Sequence, residues 1–147
     1  MLEKLLIKIQ EKKSIIAVIG LGRVGLPLSS VLANSGFNVI GIDVNEGKLE
    51  SIKNAICPFY DPYLQENLEK SINTNKFSVD KSILNKKVDV IILTVGTPAS
   101  MEGSVDYSQL YAAINEVCSI DISGKLIILR STLPPKTTVD VIIPMLE

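Results

Sequence analysis

The 147-residue sequence has no histidine and no tryptophan, and it has only two cysteines, Cys57 and Cys118. Histidine is the commonest side-chain general base and metal ligand near neutral pH, so its absence removes the side chain most often used in either role. The two cysteines show no metal-ligand spacing, and we predict no metal site. Two reduced thiols are typical of a cytoplasmic protein, which is the localisation we expect.

The sequence also lacks an excess of either charge and any long apolar run. It contains 15 basic and 16 acidic residues, so it offers no basic surface for a nucleic acid, and we expect no such partner. No stretch approaches the length needed to cross a bilayer, and we expect no membrane association. The apolar fraction is 46%, which suffices for one domain with a substantial core.

Residues 1–13 form a distinct prefix. Leu2, Leu5, Leu6 and Ile9 recur at helical spacing, and lysines and glutamates interrupt them, so the segment is not a signal-peptide core. We predict a short amphipathic helix that packs on the domain or on a partner.

Residues 14–147 alternate between apolar bursts and helical patterns. The bursts lack the period of two that half-exposed strands show, as expected for parallel strands covered on both faces. The predicted strands are Ile15–Ile19, Val39–Ile42, a weaker Phe77–Val79, Val88–Leu93 and Leu126–Leu129. The predicted helices between them are Val24–Asn34, Glu46–Asn54, Pro62–Ile72 and a stretch after Asp106. The alternation predicts an α/β fold, a single domain built on a Rossmann-type doubly wound parallel sheet.

The first predicted strand runs into a G-x-G-x-x-G pattern, formed by Gly20, Gly22 and Gly25. The pattern has the context that dinucleotide binding requires, because it follows a strand and opens a helix. The three glycines would allow a tight turn, close approach of a pyrophosphate and close packing of the helix on the sheet, respectively. Arg23 lies in the same turn, where it either contacts the pyrophosphate or points to solvent.

Asp43 closes the second predicted strand, 18 residues beyond Gly25. A carboxylate there accepts hydrogen bonds from the ribose hydroxyls of an adenosine and repels a 2′-phosphate, so the sequence favours NAD over NADP. The alternative is that Asp43 only caps the following helix. An FAD-binding half is a further alternative, since flavoproteins share this fingerprint.

Two later strand ends carry hydroxyl and proline residues. Gly96, Thr97 and Pro98 follow one strand, and Ser131 and Thr132 follow another. Ligands of open α/β sheets bind outside the carboxyl ends of the strands, so both segments are candidates to flank a nicotinamide. Ordinary turn chemistry would also explain them.

The ordered motifs GLGRVGLPLS, GID-x-N, VGTP and RSTLPPKTT resemble those of the UDP-glucose/GDP-mannose dehydrogenase family. The resemblance implies a role in nucleotide-sugar metabolism and polysaccharide biosynthesis. It implies oxidation of the primary alcohol of a UDP-glucose or UDP-N-acetylhexosamine type of substrate to a carboxylate, with two NAD used in succession. The cofactor contacts that it implies are Gly20, Gly22, Val24, Gly25, Asp43, Gly96, Thr97, Pro98 and Ser131. Thr132 matches a family threonine that helps to hold a catalytic water near the reacting carbon.

Three positions depart from the family pattern. Arg23 stands where many members have an aromatic residue, and Lys136 replaces the glycine of a PPGTT turn. Tyr63 follows an acidic-proline pair, Asp61 and Pro62, at a position where family members often have a glycine. Because Lys136 lies in the turn that follows Thr132, this substitution affects the role that the resemblance implies for Thr132.

The resemblance also implies a cysteine nucleophile in a later, glycine-rich segment, beyond a central helix through which members commonly dimerise. Neither Cys57 nor Cys118 has that context, and we predict that neither is catalytic. We therefore expect this chain to bind NAD, to be catalytically incomplete by itself, and to act with a C-terminal domain or a partner chain. The resemblance also allows a homodimer. The alternative is a non-catalytic NAD-binding module that acts with a partner chain.

Overall fold

A computed structural model describes residues 2–98 and 105–147. It contains one five-stranded sheet in which every strand pairs in parallel with its neighbours, in the order β3-β2-β1-β4-β5. The strands are β1 (Ile15–Ile19), β2 (Asn38–Ile42), β3 (Phe77–Asp80), β4 (Val90–Leu93) and β5 (Leu126–Leu129). The predicted strands are confirmed with shifts of one or two residues at their ends.

Helices cover both faces of the sheet, so the predicted doubly wound α/β fold is confirmed. The helices are α1 (Leu2–Gln10), α2 (Gly25–Asn34), α3 (Glu46–Lys53), α4 (Leu64–Asn73), α5 (Ser108–Cys118) and α6 (Ile143–Leu146), the last preceded by a π-helical segment (Thr138–Ile142). None of the helices in the described residues is both long and apolar enough to cross a membrane.

Alternate residues of the central strand serve two separate cores. Ile16 and Val18 of β1 pack in the core beneath α2, α3 and α4, whereas Ala17 and Ile19 pack in the core beneath α5. This division follows from the strand geometry, in which successive side chains point to opposite faces. Because both faces are buried, all four residues are apolar, and no alternation is visible in the sequence.

The strand order reverses between β1 and β4. From β1 the chain winds outward through β2 and β3, then crosses to the other side of β1 to form β4 and β5. A crevice opens outside the carboxyl ends of the strands at such a reversal, and ligands of doubly wound sheets bind there. The topology therefore places the glycine turn after β1 and the segments after β2 and β4 around one crevice.

Helix α1 packs on the domain along one side only. Leu5 is 8% exposed and belongs to the core beneath α2, and the Lys8 ammonium pairs with the Asp89 carboxylate at 2.6 Å. Leu2 and Leu6 remain exposed. The sequence predicts that the prefix packs either on the domain or on a partner. The burial of Leu5 shows that this side of α1 packs on the domain.

Candidate functional site

The glycine turn after β1 is packed against the end of β4. Gly20 has φ of 95°, and its N–H donates to the carbonyl oxygen of Ile42 at 2.8 Å. A Cβ on Gly20 would lie 2.9 Å from the backbone nitrogen of Val95, closer than real contacts allow. The left-handed backbone and this close approach both require glycine at the first position of the pattern.

The other two glycines of the turn face different surroundings. A Cβ on Gly25 would overlap the carbonyl oxygen of Gly20 and lie 2.5 Å from the Thr94 hydroxyl oxygen, so Gly25 lets α2 begin against the turn. Nothing lies within 4 Å of the Cβ position of Gly22. Val24, which precedes α2, provides no side-chain cap. The amino end of α2 is thus shaped to receive an anion beside Gly22.

Asp43 is buried at the end of β2 and accepts three hydrogen bonds. Its carboxylate accepts from the N–H groups of Leu21 and Asn45 at 2.8 and 3.0 Å, and from the Lys48 ammonium at 2.6 Å. Burial acts to raise the pKa of Asp43, but the hydrogen bonds from Lys48, Asn45 and Leu21 outweigh it, and the pKa lies below its usual value. Asp43 is therefore a carboxylate at neutral pH.

Asp43 does not cap the helix that follows it. The N-cap of α3 is Asn45, whose side-chain oxygen accepts from the N–H of Lys48 at 2.9 Å. The alternative of a purely capping role for Asp43 is therefore wrong. Asp43 instead joins the glycine turn, through Leu21, to the first turn of α3.

Lys48 is a site residue that the motif analysis missed. Its ammonium pairs with Asp43 and lines the same crevice. The sequence signal was a lysine in the first turn of the helix after the acidic strand end, where solvent exposure is the ordinary expectation. Because the Lys48 ammonium offsets the Asp43 carboxylate, the pair carries little net charge.

The two later strand ends lie side by side. The Thr97 hydroxyl donates to the carbonyl oxygen of Thr132 at 2.8 Å, and the Ser131 hydroxyl donates to the carbonyl oxygen of Val95 at 2.6 Å. These bonds tie the segment after β4 to the segment after β5. Lys136, at the position of the family's glycine, has φ of 72°, so the turn keeps the left-handed backbone that a glycine adopts readily.

Thr94 is a second residue that the motif analysis missed. Its hydroxyl oxygen lies 3.0 Å from the carbonyl oxygen of Ile19 and 2.7 Å from that of Gly20, and it donates its single hydrogen between them. This contact fixes the end of β4 to the glycine turn. Threonine is common in and beside strands, so no separate sequence signal pointed to Thr94.

Arg23 is exposed to solvent and does not line the crevice. Its guanidinium lies over the Phe59 ring, 5.4 Å from the ring centroid, in a cation–π contact. The Phe59 carbonyl accepts from the Cys57 thiol at 2.9 Å. The loop that carries these residues also exposes Tyr63, which replaces the glycine of the family pattern. Cys57 and Cys118 are unpaired, and neither lines the crevice.

The crevice is a cavity of about 470 Å³ at the switch point of the sheet. Four of the predicted site residues line it: Gly20, Gly22, Asp43 and Gly96. The other predicted residues, Arg23, Val24, Gly25, Thr97, Pro98, Ser131 and Thr132, lie in the adjoining turns and not in the lining. One face of α5 completes the wall, and sequence reasoning had assigned that helix only to the core.

Comparison with known proteins identifies the family. The model of the UDP-glucose/GDP-mannose dehydrogenase family, NAD binding domain, matches residues 14–147. A UDP-N-acetyl-D-mannosamine dehydrogenase of Methanococcus vannielii is 40% identical over 134 residues, which are 87% of this chain and 31% of that protein. A GDP-mannose 6-dehydrogenase of Pseudomonas savastanoi is 31% identical over 137 residues, which are 90% of this chain and 31% of that protein.

A solved structure of similar fold comes from the same group of enzymes. The UDP-N-acetyl-mannosamine dehydrogenase of Staphylococcus aureus superposes with a TM-score of 0.84 at 32% identity, covering 90% of this chain and 32% of that one. The chain thus spans about 31% of the length of the curated relatives that it matches. It belongs to the UDP-glucose/GDP-mannose dehydrogenase family, of which it is the NAD-binding domain.

Proposed function

We propose that this chain is the cofactor-binding part of a nucleotide-sugar 6-dehydrogenase, which oxidises a sugar primary alcohol to a carboxylate with two NAD in succession. One observation carries the proposal: the open backbone at Gly22 and the ionised Asp43 border the same cavity at the switch point of the sheet. A dinucleotide carries a pyrophosphate, which suits the open backbone at Gly22, and a ribose diol, which suits the Asp43 carboxylate.

The proposed cofactor contacts fall into two groups, those to the pyrophosphate and those to the adenosine ribose. Gly22 and the uncapped amino end of α2 would hold the pyrophosphate, with Val24 and Gly25 shaping the turn. Arg23, positioned by Phe59, would add a cation beside the phosphates. Asp43 and Lys48 would bind the adenosine ribose, since a carboxylate accepts from hydroxyls and an ammonium donates to them.

The reacting end would lie toward β4 and β5. NAD supplies the hydride acceptor, and the protein's part is to place the sugar carbon against it and to exclude water. Gly96, Thr97, Pro98 and Ser131 would flank the nicotinamide. Thr132, whose carbonyl oxygen is already used by Thr97, would offer its hydroxyl to a catalytic water.

A UDP-sugar is the substrate class that we propose. The relative from Methanococcus vannielii and the solved structure from Staphylococcus aureus are both named as UDP-N-acetyl-mannosamine dehydrogenases, and the former exceeds the GDP-mannose relative in identity. UDP-glucose and UDP-N-acetylhexosamines remain within the proposal. It also includes a cytoplasmic location, a C-terminal domain or partner chain that supplies the cysteine nucleophile, and a homodimer.

Calorimetric titration of the purified chain with NAD, NADP and FAD tests the proposal. We expect saturable binding of NAD, and binding of NADP at least about tenfold weaker, because the 2′-phosphate replaces the ribose hydroxyl from which Asp43 would accept a hydrogen bond. FAD should not compete with NAD. Failure of NAD to bind, or equal binding of NADP, would contradict the proposal.

A further inference from the structure

Helix α5 presents an unexpected face to the cavity. Gln109, Ala112, Ala113 and Glu116 follow one another at intervals of three, one and three residues, which places them along one side of the helix. All four line the same cavity as Asp43. The motifs that carry the proposed function include none of them, so this wall needs its own explanation.

This helix face and Val44 line part of the same cavity, and we call that part the slot. Ala112 and Ala113 have the smallest side chains after glycine, which leaves room above α5. Val44 is 86% exposed although it follows a buried strand and lines the same cavity. A flat ring bound in contact with Val44 and Ala112 would remove apolar surface from water.

Glu116 is the charged residue on the α5 side of the slot, and its side chain is anchored. Its Oε1 atom accepts from the Ser82 hydroxyl at 2.6 Å and from the N–H of Ile83 at 2.8 Å. Both bonds use the same oxygen. Within the described residues, no donor is assigned to Oε2, which leaves one carboxylate oxygen available to a ligand.

We propose that Glu116 recognises the adenine base, with Oε2 accepting a hydrogen bond from the exocyclic amino group at N6. The inference rests on the proposed function, because Asp43 would hold the ribose and so direct the attached base into the slot. Adenine carries an amino donor where hypoxanthine carries a carbonyl oxygen, and a carboxylate only accepts. Glu116 is therefore a specificity-determining residue for the base.

The test uses NAD and nicotinamide hypoxanthine dinucleotide, two ligands that differ only on the purine ring. We expect the wild-type chain to bind the hypoxanthine form at least about tenfold more weakly, since its O6 would face the carboxylate. Glu116→Gln should keep the amide oxygen on Ser82 and Ile83, which need an acceptor, and turn the amide nitrogen toward the base. The ratio of the two dissociation constants should then approach one or invert.

Two control variants separate recognition from support of the loop. Ser82→Ala removes one bond to Oε1 but leaves the carboxylate, and Glu66→Gln removes an exposed charge on α4; both should keep the wild-type ratio. A wild-type ratio near one, or an unchanged ratio in a folded Glu116→Gln variant, would overturn the inference while NAD binding stood. Failure of the wild-type chain to bind NAD would instead overturn the proposed function.

A crystal structure of the wild-type chain with NAD decides the question independently of any variant. We expect the Glu116 carboxylate within hydrogen-bond distance of N6, about 2.7–3.2 Å. An adenine bound outside the slot, or an N6 that faces solvent, would overturn the inference even if Glu116→Gln failed to fold.

Discussion

The three glycines of the turn are required for different steric reasons. Gly20 combines a left-handed backbone with close contact to Val95, and Gly25 lies against the Gly20 carbonyl. Gly22 has open space at its Cβ position and no left-handed backbone. The fold therefore requires glycine at Gly20 and Gly25, whereas only a bound ligand would require it at Gly22.

This difference predicts opposite results for two matched substitutions. Gly22→Ala should leave the free energy of unfolding within about 0.5 kcal/mol of wild type and should weaken NAD binding, because the methyl group occupies the approach of the pyrophosphate. Gly25→Ala should destabilise the fold by several kcal/mol, about 3 or more, because its methyl group overlaps backbone. Urea unfolding and NAD titration of both variants measure the two effects. A Gly22→Ala variant that binds NAD normally would contradict this assignment.

Asp43 gives a pH-dependent prediction at the same scale. Its pKa is lower in the folded chain than the usual value of about 3.9, so the ionised carboxylate stabilises the fold above that range. This contribution disappears as the pH falls through the lowered pKa. Asp43→Asn should therefore lower the free energy of unfolding by about 1–3 kcal/mol at pH 7, with a difference from wild type that shrinks toward pH 3.

Urea unfolding of wild type and Asp43→Asn across this pH range is the measurement. Glu66→Gln provides the control, because that side chain is exposed and its charge has no assigned partner among the described residues. A difference between wild type and Asp43→Asn that stays constant from pH 7 to pH 3 would rule out the proposed ion pair with Lys48 as its origin.

At the scale of elements, α1 and α5 each bury one side in a core, while the other side is exposed or lines the cavity. Helix α1 buries Leu5 and leaves Leu6 about half exposed, whereas α5 buries Leu110 and Ile114 and presents its other side to the cavity. A single helix satisfies both because neighbouring positions point about 100° apart. Amphipathic spacing alone identified the buried side of α5 and gave no indication that residues of this helix also line the cavity.

Two alanine substitutions in α1 test how it packs. Leu5→Ala should cost about 2–4 kcal/mol in the free energy of unfolding, because Leu5 lies in the core beneath α2. Leu6→Ala should cost less than about 1 kcal/mol, because half of that side chain is already in water. Similar losses in the two variants would show that the outer side of α1 is covered in solution.

At the scale of the whole molecule, the chain contains a cofactor crevice and spans about 31% of the length of its curated relatives. We expect NAD to raise the free energy of unfolding by about 2.7 kcal/mol at a hundred times its dissociation constant.

We also expect no NADH when UDP-glucose or a UDP-N-acetylhexosamine is added to the chain with NAD. Absorbance of NADH is the measurement, and turnover by this chain alone would contradict the proposed division of labour.

The sequence by itself determined the fold class, the order of strands and helices, and the glycine turn with Asp43. Those features depend on local properties: apolar runs, glycine spacing and the residue at a strand end. Only the tertiary structure decided that the Leu21 N–H donates to Asp43, that Lys48 and Glu116 share one cavity, and that Arg23 lies on Phe59. Such contacts join residues from separate elements, and their distances depend on how the sheet twists and the helices pack, which no local pattern encodes.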